Sequence, residues 1–126
     1  MDKIIYRELS YKLNGLLFKV HKDLGRYRNE KQYGDYFEDL LKQVSIDYKR
    51  EYHFKDIDKK EIKDRCIVDF LIDNKIILEF KTKDYLNSED YYQIKRYLVV
   101  LNLELGILVN FRQPRIIPKR ILNKII

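Results

Sequence analysis

Three charged residues lie inside two otherwise apolar segments of this 126-residue sequence. Asp69 lies within the run Ile67 to Ile72, and Glu79 and Lys81 flank Phe80 in the next run. Ionised groups in buried strands are costly unless they are paired or bind a metal. Alternation along a strand places Glu79 and Lys81 on the same face. If the intervening turn brings Asp69 opposite Glu79, two carboxylates and an ammonium group converge.

Such a convergence has a recognisable chemistry. Two carboxylates beside a lysine suit Mg²⁺ or Mn²⁺ and leave positions open for water and a phosphate oxygen. The metal would stabilise charge on the phosphate and acidify a water, while Lys81 would orient that water or stabilise the transition state. The spacing therefore suggests phosphodiester hydrolysis. It is equally compatible with a buried Asp69–Lys81 ion pair and with Glu79 at a strand edge, because so short a pattern also occurs by chance.

The turn between the two segments decides between these geometries. A two-residue turn at Asp73-Asn74 would set Asp69 opposite Leu78 and send Glu79 to the other face of the sheet. The chemistry needs Asp69 opposite Glu79, which is a shift of one residue. We therefore predict a three-residue loop, Asp73 to Lys75, or an equivalent bulge.

Composition and length are those of one globular domain over residues 1–126, with 45% hydrophobic and 37% charged residues. No apolar run approaches the roughly 20 residues of a membrane helix, and no signal-peptide pattern opens the chain. We therefore expect a cytoplasmic protein that does not bind membranes. Cys66 is the single cysteine, so an internal disulfide is excluded, and two distant histidines make a zinc site improbable.

The charge balance suits a nucleic-acid partner. The chain has 26 basic and 20 acidic residues, a net charge of +6 and a pI near 9.3. The segment after Phe111 has no acidic residue, and its basic residues are Arg112, Arg115, Lys119, Arg120 and Lys124. Two interpretations stay open for this segment: a solvated tail, or an edge that contacts phosphates.

Hydrophobic periodicity predicts the elements that must position the charged residues. Helices are expected over residues 3–23, 30–44 and 89–102, with Gly25 ending the first and Ser88 capping the third. Strands are expected over residues 46–54, 66–72, 76–81 and 105–111, and the first of them is expected to be exposed. A turn is expected at residues 56–60, and Pro114 and Pro118 should break up the tail. The order ααβββαβ predicts an α/β fold with a mixed sheet flanked by helices.

Glu30 begins the second predicted helix and falls within its apolar stripe. A carboxylate at that position can simply favour the positive end of the helix dipole. It can also belong to the site formed by the strands.

The order of these segments resembles that of the GxxExxY family, a compact branch of the PD-(D/E)XK superfamily. Its V-H-K-x-L-G, E-x-x-Y, A-D-L-L, V-x-E-L-K, Q-x-x-x-Y-L and L-G-L-L-x-N-F motifs are similar to Val20–Gly25, Glu30–Tyr33, Val68–Leu71, Ile76–Lys81, Gln93–Leu98 and Leu105–Phe111. The resemblance covers nearly the whole chain in order. It departs at Tyr27, which replaces the glycine of the G-x-x-E motif.

The resemblance implies a restriction-endonuclease-like core and a metal-dependent nuclease that acts on nucleic acid, with DNA as the expected substrate. It implies that Asp69 and Glu79 are ligands of Mg²⁺ or Mn²⁺ and that Glu30 supports the metal or its water. Lys81 would be the catalytic lysine, and Gln93 would lie near the phosphate. Alternatives are a nucleic-acid-binding module with little or no turnover and a subunit of a larger complex. A homodimer would help so small a domain to grip a duplex.

Overall fold

The computed structural model describes residues 4–55 and 65–123. Its helices are α1 (Arg7–Leu24), α2 (Glu30–Gln43) and α3 (Ser88–Leu101). Its strands are β1 (Tyr48–Lys55), β2 (Arg65–Ile72), β3 (Ile76–Lys81), β4 (Leu105–Asn110) and β5 (Lys119–Leu122). The predicted turn at residues 56–60 lies outside the described residues. None of the described helices is both long and apolar enough to cross a membrane.

The five strands form one mixed sheet in the order β1-β2-β3-β4-β5. Only β3 and β4 are parallel, and α3 makes the crossover between them. The α/β class and the mixed sheet are confirmed, but the predicted order ααβββαβ lacked β5. This strand lies in the tail that the prolines were expected to break up. Pro118 precedes the first residue of β5 and therefore removes no hydrogen bond of the ladder.

Capping residues define the ends of the helices. Gly25 ends α1 as predicted, with φ at 78°. The cap of α3 is Asn87 and not Ser88, which corrects the prediction. The Asn87 side chain accepts a hydrogen bond from the Asp90 backbone, and the Asp90 carboxylate accepts one from the Asn87 backbone.

Helices cover both faces of the sheet. On one face α1 and α2 pack a large core that includes Leu17, Phe37, Phe70 and Phe80. On the other face α3 packs a smaller core that includes Ile94. The strands in the middle of the sheet are therefore buried on both sides, which explains their nearly continuous apolar sequences.

The alternation of side chains along β2 is interrupted at Asp69, so the strand changes face there. Val68 packs toward α3 while Phe70 packs toward α1 and α2, although two residues of even number should share a face. The neighbouring strand changes face at Glu51, where φ is 51°, and the β1–β2 register skips the pair of Glu51 and Asp69. The strand predicted over residues 46–54 is present as β1, but it is not exposed throughout as predicted, because alternate residues are half-buried against both cores.

The predicted loop between β2 and β3 is confirmed. Ile72 pairs with Ile76, so Asp73 to Lys75 form a three-residue connection, closed by a 2.9 Å hydrogen bond from the Lys75 N–H to the Ile72 carbonyl. Asp73 and Asn74 both have positive φ, at 51° and 54°. The resulting register is the one that sets Asp69 and Glu79 at corresponding positions.

Packing of α3 on the sheet predicts opposite effects for two glycine substitutions. A Cβ at Gly106 in β4 would lie 2.5 Å from Cγ2 of the buried, stiff Ile94. Gly106→Ala should therefore lower the free energy of unfolding by about 1–3 kcal/mol. Gly15 in α1 has nothing within 4 Å of its Cβ position, so Gly15→Ala should raise it by about 0.5–1 kcal/mol. Urea denaturation measures both, and equal effects would contradict the packing described.

Candidate active site

Asp69 and Glu79 lie where β2 separates from β3. The backbone pairing of the two strands ends at Phe70 and Leu78. One residue further on, the Phe80 N–H donates to Oδ2 of Asp69 at 2.7 Å, and the Asp69 N–H donates to Oε1 of Glu79 at 3.2 Å. The two carboxylates thus accept hydrogen bonds from the backbone groups that the diverging strands leave unpaired. We call these two residues the Asp69–Glu79 pair.

Glu79 is buried, with 4% of its surface exposed. Burial is the main cause that raises its pKa well above the usual value, and the adjacent Asp69 carboxylate raises it further. The positive charge of Lys81 opposes both effects. In the described part of the chain neither carboxylate has a cation within 4 Å, so the alternative of a buried Asp69–Lys81 ion pair is not formed.

Glu30 is the first residue of α2 and shares a cavity of about 210 Å³ with Asp69, Glu51 and Phe80. Glu30 is exposed to solvent, although it lines one side of this cavity. Desolvation there raises the pKa of Glu30, and the Asp69 charge adds to the effect, while the charges of two lysines lower it. Glu30 and Asp69 therefore influence each other electrostatically.

Lys81 and Gln93 line a second cavity, of about 310 Å³, beside α3. The two cavities contact β3 at consecutive residues, Phe80 and Lys81. The structure thus places Asp69 and Glu79 next to each other. Glu30 and Asp69 line the first cavity, and Gln93 and Lys81 line the second.

Sequence reasoning missed the residues that hold the chain after Lys81. The Asn110 side chain donates to the Lys83 carbonyl at 2.7 Å and accepts from the Lys83 N–H at 3.1 Å. The Lys83 ammonium lies 2.9 and 3.1 Å from the two carboxylate oxygens of Asp90. Asn110 is buried at the end of β4, and the sequence carried two signals for it: its place at the end of an apolar run and the N of the L-G-L-L-x-N-F motif. Lys83 gave none.

The basic C-terminal segment is partly engaged by the protein itself. Arg120 donates to a buried serine hydroxyl of α1 at 2.8 Å, and Arg112 donates to a backbone carbonyl of the α1–α2 connection at 3.1 Å. Arg115 and Lys119 are exposed, and Lys124 lies outside the described residues. The segment is therefore not simply a solvated tail.

The donor set fits a hard divalent cation. The described residues contain no group of three or more histidine, cysteine, aspartate or glutamate residues placed to hold a metal. The Asp69–Glu79 pair offers two oxygen donors, and Mg²⁺ is commonly bound through one or two carboxylates with water completing its shell. Glu30, the third predicted ligand, is not brought into one group with the pair.

A family model described as the PD-(D/E)XK nuclease superfamily matches residues 7–121. This match begins with α1 and ends within β5, so it spans every element of the fold. The searches of curated proteins and of solved structures found no match. The matched description does not distinguish the GxxExxY branch.

The raised pKa of Glu79 predicts how stability depends on pH without metal. The folded protein keeps a proton on Glu79 above the unfolded value of about 4.3, so this contribution to stability is lost as pH rises through the folded pKa. Glu79→Gln keeps an oxygen acceptor for the Asp69 N–H but does not titrate. Its melting temperature should equal that of the parent in acid and should be several degrees higher than that of the parent in mildly alkaline buffer with EDTA.

Thermal melts across pH test this expectation, with Glu104→Gln as the control that removes an exposed carboxylate. A constant difference between Glu79→Gln and the parent at every pH would contradict it.

Proposed function

This chain belongs to the PD-(D/E)XK nuclease superfamily, and from that membership we propose that it is a metal-dependent nuclease that hydrolyses phosphodiester bonds in DNA. The observation that carries the proposal is the Asp69–Glu79 pair. Two carboxylates share a largely buried position, the pKa of one is strongly raised, and no cation pairs with them in the described residues. Groups perturbed in this way are concentrated at functional sites.

Asp69 and Glu79 are the residues that would hold the metal, with Mg²⁺ or Mn²⁺ as the ion suited to their oxygens. When bound, such an ion supplies positive charge for the phosphate and acidifies a water. Glu30, in the cavity that contains Asp69, would support the ion or its water. Its raised pKa also brings this carboxylate closer to the range in which a group can accept a proton from water.

Lys81 and Gln93 are the proposed phosphate contacts. Lys81 follows Glu79 by two residues on β3, and its charge opposes the rise in the pKa of both Glu79 and Glu30. Its ammonium would orient the attacking water or stabilise the charge that develops on the phosphate. Gln93 lines the same cavity and would donate a hydrogen bond that orients the phosphate.

The basic C-terminal segment would contact the DNA backbone outside the site. Arg115 and Lys119 are exposed and free to reach phosphates, whereas Arg112 and Arg120 would do so while holding their contacts to the protein. Contacts of this kind do not depend on base sequence, and they weaken as salt rises.

The proposal predicts that the site residues are needed for cleavage and not for folding. Asp69→Asn keeps an acceptor for the Phe80 N–H but loses a charged ligand, and Lys81→Met keeps the aliphatic stem but loses the ammonium. Each should reduce Mg²⁺- or Mn²⁺-dependent cleavage by at least about 100-fold. Labelled single- and double-stranded DNA and RNA form the substrate panel, and circular dichroism reports on the fold.

The matched control is Asp39→Asn, which removes an exposed carboxylate from α2 and should cleave like the parent. Full cleavage by either site variant would show that the catalytic centre lies elsewhere. Cleavage of RNA alone would refute DNA as the substrate.

A further inference from the structure

An exposed tyrosine lies in the short connection between α1 and α2, directly before the candidate active site. Tyr27 is 75% exposed and stands three residues before Glu30. The connection around it is fixed in place. The Tyr33 hydroxyl donates to the Gly25 carbonyl at 2.5 Å and accepts from the Arg28 N–H at 3.2 Å. The backbone on both sides of Tyr27 is therefore held by hydrogen bonds to Tyr33.

Two arginines contact the Tyr27 ring. The Cζ atoms of Arg26 and Arg112 lie 5.0 and 5.7 Å from the ring centroid. These arginines also hold each other: Nε of Arg26 donates to the Arg112 carbonyl at 2.7 Å, and Nε of Arg112 donates to the Arg26 carbonyl at 3.1 Å. Arg26, Tyr27 and Arg112 form what we call the Tyr27 platform, and its one acidic neighbour among the described ion pairs is the exposed Asp84.

Exposure alone would not distinguish Tyr27, because single exposed aromatic residues are common. Tyr11, Tyr85 and Tyr92 are also exposed, but within the described residues no cation lies over their rings. Tyr27 combines an open aromatic surface with two guanidinium groups that the backbone holds in place. That combination matches one ligand chemistry, a flat base beside a phosphate.

The position of the platform connects it with the site. Three residues of extended chain span at most about 11 Å, so the Cα of Tyr27 lies within that distance of Glu30. A strand that passes Glu30, which lines a cavity with Asp69, would therefore reach the platform within a few nucleotides. Bases inside a duplex are covered on both faces by their neighbours, so the ring can stack only on an unpaired base.

We propose that the Tyr27 platform binds an unpaired nucleotide of single-stranded DNA next to the cleavage site. The base stacks on Tyr27, and the arginines contact its phosphate. This inference rests on the proposed nuclease function and specifies its substrate: a single strand, an overhang or a frayed end, and not the interior of a duplex.

Fluorescence anisotropy in EDTA, where no cleavage occurs, measures the binding of a short labelled single-stranded DNA. Tyr27→Ala should weaken binding by roughly 5- to 150-fold, the range for the loss of one stacked base. Tyr27→Phe should bind like the parent because stacking does not need the hydroxyl. Tyr11→Ala, at an equally exposed position on α1, is the control and should change nothing. The slope of log Kd against log salt should be unchanged in Tyr27→Ala, since the ring carries no charge.

Equal affinity of Tyr27→Ala and the parent, or no binding by the parent, would overturn the platform. An equal loss on a blunt duplex would refute its preference for unpaired bases, and a loss confined to an RNA of the same sequence would refute DNA as the ligand. Cleavage of a small phosphodiester with Mn²⁺ separates this inference from the nuclease proposal. If the small phosphodiester is cleaved in an Asp69-dependent way but Tyr27→Ala binds single-stranded DNA like the parent, the platform alone is refuted. If DNA binding depends on Tyr27 but neither the small phosphodiester nor DNA is cleaved, the nuclease proposal alone is refuted.

Discussion

The candidate site depends on how two backbone N–H groups are satisfied where β2 leaves β3. Buried backbone donors need partners, and in a regular ladder the neighbouring strand supplies them. Here Asp69 and Glu79 supply carboxylate oxygens in their place. The same two side chains thus end the strand pairing and stand in the opening it leaves. Three features contribute to this arrangement: the change of face of β2 at Asp69, the positive φ of Glu51, and the three-residue loop after Ile72.

Such an arrangement is unfavourable unless its charge is compensated. Burial and the neighbouring carboxylate together raise the pKa of Glu79, so part of the stability of the metal-free fold is lost as this group ionises. The surrounding core provides a firm support. Phe37 packs edge-on against Phe70 and Phe80, the residues that follow Asp69 and Glu79 in their strands, with ring centroids 5.1 and 5.4 Å apart. Side chains held on packed strands keep the two carboxyl groups adjacent although their proximity and burial disfavour the ionised form of Glu79.

Much of this could be predicted from the sequence because it follows from side-chain alternation. Charged residues in apolar strands identified Asp69 and Glu79, and the requirement that they share a position gave the three-residue loop that the structure confirms. The fifth strand could not be predicted, since Ile121 is its one buried residue and four residues show no period. The change of face at Glu51 also left no trace, because alternation continues through it unbroken. The contacts of Lys83 depend on residues distant in sequence, which a pattern of single residues does not encode.

The central claim is that the Asp69–Glu79 pair binds a divalent cation, and thermal melting with Mn²⁺ tests it most directly. A cation that binds only the folded state raises its stability by about 2.7 kcal/mol at a hundredfold excess over Kd, a melting shift on the order of 10 °C. The parent should show this shift. Asp69→Asn should melt no lower than the parent in EDTA and should lose most of the Mn²⁺ response. An equal Mn²⁺ response in the two proteins would contradict the claim.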